Sequence, residues 1–109
     1  MNDYRYPFSQ QLAGYLRGVP VGTLRRCLRT AEQHRLPVTA LDLEAHYFAG
    51  GRVPDLIEAL AYAAENHLTL SLHRAAVQDL ARGREQPVSD WVVQCHQRAV
   101  ANLDEEPLQ

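Results

Sequence analysis

An all-α fold, a small array of about three repeated helix pairs forming a helical bundle or short solenoid, is predicted by three features of the 109-residue sequence. An apolar pattern recurs with a period of about 32 residues, which is typical of stacked helix pairs. Within each copy the apolar residues fall at i, i+3, i+4 and i+7, the spacing of one helix face. Residues that start and stop helices stand between the copies.

The first predicted helix, at about 8–17, is a degenerate copy running from Phe8 through Leu12, Tyr15 and Leu16 to Gly18. The second, 21–34, carries Leu24, Cys27, Leu28 and Ala31 on one face. The third, 39–49, opens at Thr39, whose hydroxyl can accept from the free amides of the first turn. Asp42 suits that first turn because the helix dipole favours an acid there. Leu43 and Tyr47 are one turn apart and are expected to share a buried face, with Phe48 beside them. Gly50-Gly51 ends the helix, which predicts a positive φ at one of the two glycines. The fourth helix, 54–66, repeats the second: Val21, Leu24, Cys27 (as Ala59), Leu28 and Ala31 recur as Val53, Leu56, Ala59, Leu60 and Ala63. Pro54 fits its first turn, where a missing N–H is harmless.

Ser71 is placed as the N-cap of the fifth helix, 71–82. Leu68-Thr-Leu-Ser-Leu72 alternates like a strand but has no second strand to pair with, so it reads as an extended entry into that helix. The sixth helix, 88–102, begins a third copy (Val88, Trp91, Cys95) at an offset of 35, with three extra residues in the loop from Arg84 to Pro87. Residues 1–102 read as one helical domain and 103–109 as a frayed acidic tail with few anchors.

Composition narrows the function. The chain is 46% apolar and 22% charged, which is ordinary for a globular domain and unlike a disordered one. No apolar run approaches the ~18 residues that span a bilayer. The N-terminus is polar and unlike a signal peptide, so the expected compartment is the cytoplasm, with membrane association only through a partner. Cys27 and Cys95 each sit in an apolar stripe and read as buried thiols. Every basic residue is arginine, a bias we attribute to genomic base composition. Residues 1–35 hold six arginines against two acids, a net of +4; residues 36–109 hold five against eleven, a net of −6. Such a dipolar chain can pair with itself or offer Arg25, Arg26 and Arg29 to an acidic partner.

No catalytic pattern emerges. His34, His46, His67, His73 and His96 form no His-x-x-x-His, and neither cysteine belongs to a Cys-x-x-Cys, so no metal site is expected. Nucleophile elbows, phosphate loops and dinucleotide fingerprints are missing from the sequence, and no cofactor or enzymatic activity is expected. The alternative is a helix-turn-helix-like nucleic-acid binder, since two helices flank Ala49-Gly50-Gly51. The helix after Gly51 carries Asp55, Glu58 and Glu65, which phosphates repel, so that reading falls on the Arg-rich helix 21–34.

The stretch Leu41-Asp-Leu43-Glu44-Ala-His46-Tyr47-Phe-Ala49-Gly50-Gly51-Arg-Val53 resembles the Leu-Glu-[Ser/Ala]-His-Tyr-Leu-Ala-Gly-Gly motif of the bacterial flotillin-like proteins of the FloA type. Arg74-Ala-Ala-Val-Gln-Asp79-Leu80-Ala81 is similar to their Glu-Arg-Ala-Ala-Ile-Asp-Leu-Ala, and Leu16-Arg17-Gly18-Val19-Pro20 to the lead-in after their membrane segment. The likeness runs over about residues 16–94. It implies a non-enzymatic scaffold or protein-interaction module, since the family forms membrane-anchored oligomers that organise membrane microdomains. The hydrophobic anchor and the band-7-like region are expected to be absent here, leaving the helical connector module alone. The motif residues Leu43, Glu44, His46, Tyr47, Ala49, Gly50, Gly51, Val53, Arg74 and Asp79 are read as structural. His46 is expected to be a partly buried tip and Glu44 a surface partner of Arg74. The helix 88–102 is apolar on more than one side, which marks Trp91 and Val92 as a candidate partner surface. A homodimer would cover it, as would the N-terminal segment folding back through Tyr4, Tyr6 and Phe8.

Overall fold

The computed structural model describes residues 18–106; the expected helix at 8–17, and any fold-back of Tyr4, Tyr6 and Phe8, lie outside them. The described residues form five α-helices: α1 (Val21–Gln33), α2 (Ala40–Phe48), α3 (Val53–Glu65), α4 (Leu72–Arg82) and α5 (Val88–Gln97). A short 3-10 turn, Leu103–Glu105, follows. No β-strand occurs among them; extended backbone pairs at one isolated parallel bridge, Thr69 with Asn102. The bounds of α1 to α4 lie within one residue of those the sequence predicts.

Local chemistry explains the helix starts. The Thr39 hydroxyl accepts from the Asp42 amide at 3.2 Å, and the Asp42 carboxylate accepts from the Thr39 amide at 2.9 Å, a reciprocal capping box. Ser71 accepts from the Arg74 amide at 3.1 Å. Pro54 lies in the first turn of α3. The start of α5 has a cap that sequence reading missed. Asp55, from α3, accepts from the Val88 amide at 2.9 Å and from the Ser89 hydroxyl at 2.6 Å.

The helix ends hold the main departure. α5 stops at Gln97, not 102, because Ala99 turns left-handed (φ 62°). Arg35 (φ 56°) and His67 (φ 57°) do the same after α1 and α3. In each case the amide two residues beyond the cap returns to the helix: Leu36 to the Ala31 carbonyl at 2.8 Å, Leu68 to Ala63 at 2.8 Å, Val100 to Cys95 at 3.0 Å. This is the Schellman closure, in which an apolar residue after the turn packs back on the helix. A left-handed alanine bears the clash of its Cβ, roughly 1–2 kcal/mol. Ala99→Gly is therefore expected to stabilise the fold by about 0.5–1 kcal/mol, the relief being partly offset by the looser unfolded chain. A urea midpoint that moves down instead would contradict this reading of the α5 terminus.

α3 is the central element and packs on each of the other four helices. Its buried residues, Val53, Leu56, Ile57, Ala59, Leu60, Ala61 and Ala63, cover more than one face, as a helix enclosed on several sides requires. One apolar cluster gathers Leu24, Leu28, Leu43, Leu56 and Ala75 from α1 to α4. A second joins α3 to α5 through Ala59, Ala63, Val88, Trp91, Val92 and Cys95. Leu103, in the segment expected to fray, belongs to this second cluster and is fully buried; residues 107–109 of that segment lie outside the described residues. The Asp104 carboxylate accepts from the Ser71 amide at 2.8 Å and helps to hold this segment. Cys27 and Cys95 are buried free thiols, as expected. Burial pushes the Cys27 thiol up, with Arg26 opposing. Burial and then Glu106 push Cys95 up, against Arg98 and Arg82. Both therefore behave as small neutral apolar groups.

Candidate functional site

The glycine pair between α2 and α3 is built around a buried polar joint. Gly50 takes φ +92°. Its amide donates to the Tyr47 carbonyl and that of Gly51 to the His46 carbonyl, both at 3.0 Å. Gly51 is glycine for a different reason. A Cβ there would overlap the His46 ring at Nε2, Cε1 and Cδ2, so the imidazole lies directly on the backbone that follows it.

His46 is thereby aimed at α4. Its Nε2 lies 2.6 Å from Asp79 Oδ2, and the two side chains are 4% and 0% exposed. An ionised carboxylate only accepts, so Nε2 carries the proton. The same Oδ2 accepts from the Arg52 amide at 2.7 Å, and Oδ1 accepts from Arg52 Nη2 at 2.8 Å. Arg52 Nη2 also donates to the Gly83 carbonyl at 2.7 Å and the Asp79 carbonyl at 3.1 Å. One carboxylate thus ties the end of α2, the start of α3 and the end of α4. A buried charge is tolerated only when paired and hydrogen bonded in this way.

The arrangement closes on itself. A cleft of about 530 Å³ opens beside it, lined in part by Pro20, Leu24, Tyr47, Gly51, Arg52 and Pro54, but neither His46 nor Asp79 lines it. Their polar atoms are directed at each other and at Arg52. Among the described residues no three His, Cys, Asp or Glu side chains converge as metal ligands would. No helix of these residues is long and apolar enough to cross a membrane.

The two stretches joined here, His46 to Arg52 and Arg74 to Ala81, both lie within the part of the chain that a family comparison matches. The sequence profile of Flotillin-like protein FloA matches residues 4–100. This chain belongs to the FloA family of flotillin-like proteins. The flotillin-like protein FloA of Dictyoglomus turgidum (strain DSM 6724 / Z-1310) is 42% identical over 71 residues, 64% of this chain and 21% of that protein. That of Protochlamydia amoebophila (strain UWE25) is 50% identical over 44 residues, 40% of this chain and 13% of that protein. The matched segments therefore span about a fifth of these FloA relatives' length or less. No solved structure matches the chain.

Not every predicted residue of the FloA motif joins this centre. Leu43 and Val53 are core residues, and Ala49 is the C-cap of α2. His46 is buried, not a partly exposed tip, and Glu44 is buried as well, not a surface group. Tyr47 and Phe48 depart from expectation in the other direction. They are 38% and 58% exposed and touch edge to face, because the turn at Gly50 carries the chain to α3 beneath His46. The Arg74 guanidinium lies 6.0 Å from the centre of the Trp91 ring, on the α5 side of α4. Trp91 and Val92, the expected partner surface, are core instead, packed between α5 and α3. Arg82 lies over the same ring at 5.5 Å, so two guanidinium groups cover what the sequence pattern leaves bare.

Arg25, Arg26 and Arg29 are exposed on α1, as a partner surface requires. Arg26 also donates to the Thr23 hydroxyl at 3.2 Å. Sequence reading missed Arg52, the second clamp on Asp79. Its signal is its position: the first side chain after two glycines, where the backbone is free to bring both its amide and its guanidinium to one acceptor.

Proposed function

We propose that this chain is a non-enzymatic protein-interaction module of a flotillin-like membrane-microdomain scaffold, built as an array of about three helix pairs. The carrying observation is the fate of the family's recognisable residues. His46 and Asp79 are buried and bonded to each other, and the imidazole packs on Gly51 just after the Gly50 turn, so these side chains join the end of α2 to α4 and do not line the cleft beside them. Binding rigid helices at fixed angles is what a scaffold requires. The left-handed closures at Arg35, His67 and Ala99, each 32 residues after the last, support the array. In this reading the module meets membranes through partner proteins.

A segment exchange tests the proposal. The region of Dictyoglomus turgidum FloA that matches this chain is replaced by the corresponding residues from it. The hybrid is expected to assemble and to sediment with membranes as its parent does. A hybrid that is folded by circular dichroism yet stays dispersed and unassembled would sink the scaffold reading.

A further inference from the structure

Arg74, Gln78 and Arg82 follow one another at four-residue spacing on α4, so they share a face, the one toward Trp91. Gln78 is fully buried. Its Oε1 accepts from Arg82 Nε at 2.7 Å, but its Nε2 has no acceptor among the described residues. Arg74 Nε and Nη2 are buried and lack acceptors as well. Those two N–H groups lie along one edge of the guanidinium, spaced to meet both oxygens of a carboxylate. Among the described residues, three buried donors on adjacent turns of one face are thus without an acceptor, an unfavourable arrangement unless something else supplies one.

The preceding helix pair shows what such a position takes. His46 stands 32 residues before Gln78. Its ring N–H is met by a carboxylate, Asp79, from α4. We propose that Arg74 and Gln78 form a receptor site for a carboxylate carried on a helix of a partner polypeptide, which brings it to α4 as α4 brings Asp79 to His46 of α2. The proposal rests on the array reading above and names its partner's chemistry. Arg74 and Arg82 are only half-buried and lie over Trp91. They are the cover that lifts as the partner helix settles, so binding changes the surroundings of the chain's single tryptophan.

Trp91 emission of the whole purified chain reads the test. The probe is a blocked, tryptophan-free peptide of residues 70–83 of this sequence, which carries the Asp79 carboxylate on its own helix. A saturating change is expected. The same peptide with Asp79→Asn should bind about tenfold more weakly or worse, and so should the parent peptide on a chain with Arg74→Met, which keeps the stem over Trp91. Gln78→Glu in the chain supplies the carboxylate in place. It should raise Tm by about 4 °C or more and abolish the peptide response. The proposal is overturned by no saturation, by equal binding of the Asn peptide, or by retained binding in Arg74→Met. An equal response to inorganic phosphate alone, or a lowered Tm in Gln78→Glu, overturns it too. If the segment exchange fails while the peptide binds as expected, the scaffold reading falls and the carboxylate site stands.

Discussion

Asp79→Ala is expected to cost the fold about 3–5 kcal/mol, the range seen when one partner of a buried ion pair is removed. The substitution deletes a side chain that is fully buried and accepts three hydrogen bonds. What remains is worse than the loss itself. His46 Nε2, the Arg52 amide and one end of the Arg52 guanidinium are left inside without that acceptor, and each such donor carries its own desolvation penalty. A domain of this size has a net stability of roughly 5–15 kcal/mol, so the variant sits near or past its unfolding threshold at 37 °C. Urea titration followed by circular dichroism measures the effect. Asp79→Asn keeps one acceptor oxygen and should fall between the wild type and the alanine variant. A loss under about 1 kcal/mol in the alanine variant would place Asp79 with ordinary surface ion pairs and end its role as the joint between α2, α3 and α4.

The sequence predicts the helices well where one residue decides a terminus by itself. Thr39 and Ser71 cap because their hydroxyls reach the third amide on, and Pro54 opens α3 because its ring tolerates only a first turn. Legibility fails where a terminus depends on residues brought from elsewhere. α5 ends at Gln97 through a left-handed alanine, and alanine gives no turn signal. The trace that does exist is the apolar pair that closes each such turn: Ala31 with Leu36, Ala63 with Leu68, Cys95 with Val100. That spacing recurs at 32 residues and is visible once the closure is known. The cap on α5 is Asp55, which belongs to another helix.

The polar joint divides in the same way. Sequence reading singles out both His46 and Asp79, but their contact is tertiary: they are 33 positions apart in sequence, with the whole of α3 between them. Reading His46 as a partly exposed tip follows from its place near a helix end, where most histidines reach water. Here the Gly51 backbone supports one face of the ring and Asp79 accepts the hydrogen bond from its Nε2. Trp91 and Val92 look uncovered because the pattern counts apolar partners. The groups over Trp91 are the guanidinium groups of Arg74 and Arg82, which count as polar although they cover an aromatic face well.

Gly51→Ala should be the second most damaging change, at about 2–4 kcal/mol, and it should do its damage through His46. Gly50 and Gly51 are adjacent but are glycine for different reasons. At Gly50 a methyl group meets nothing within 4 Å, so only the φ of +92° opposes it, and Gly50→Ala should cost about 1–2 kcal/mol. At Gly51 a methyl group lands inside the imidazole ring. The ring cannot slide away, because its Nε2 is held by Asp79 at 2.6 Å and its own backbone lies within α2. Either the α2–α3 turn opens or His46 leaves Asp79. Overpacking contributes about 1–3 kcal/mol, and the broken hydrogen bond to a charged group adds about 1.5–3 kcal/mol when it is lost. A double-mutant cycle separates this from backbone strain. In a His46→Ala background the ring is gone, and Gly51→Ala should then change stability by about 0.5 kcal/mol or less. Gly50→Ala in that background should keep its full effect, since its origin is the local φ. Equal penalties for Gly51→Ala with and without the imidazole would show that glycine is needed there for its backbone alone, and would remove the packing of His46 on Gly51 from the account of the joint.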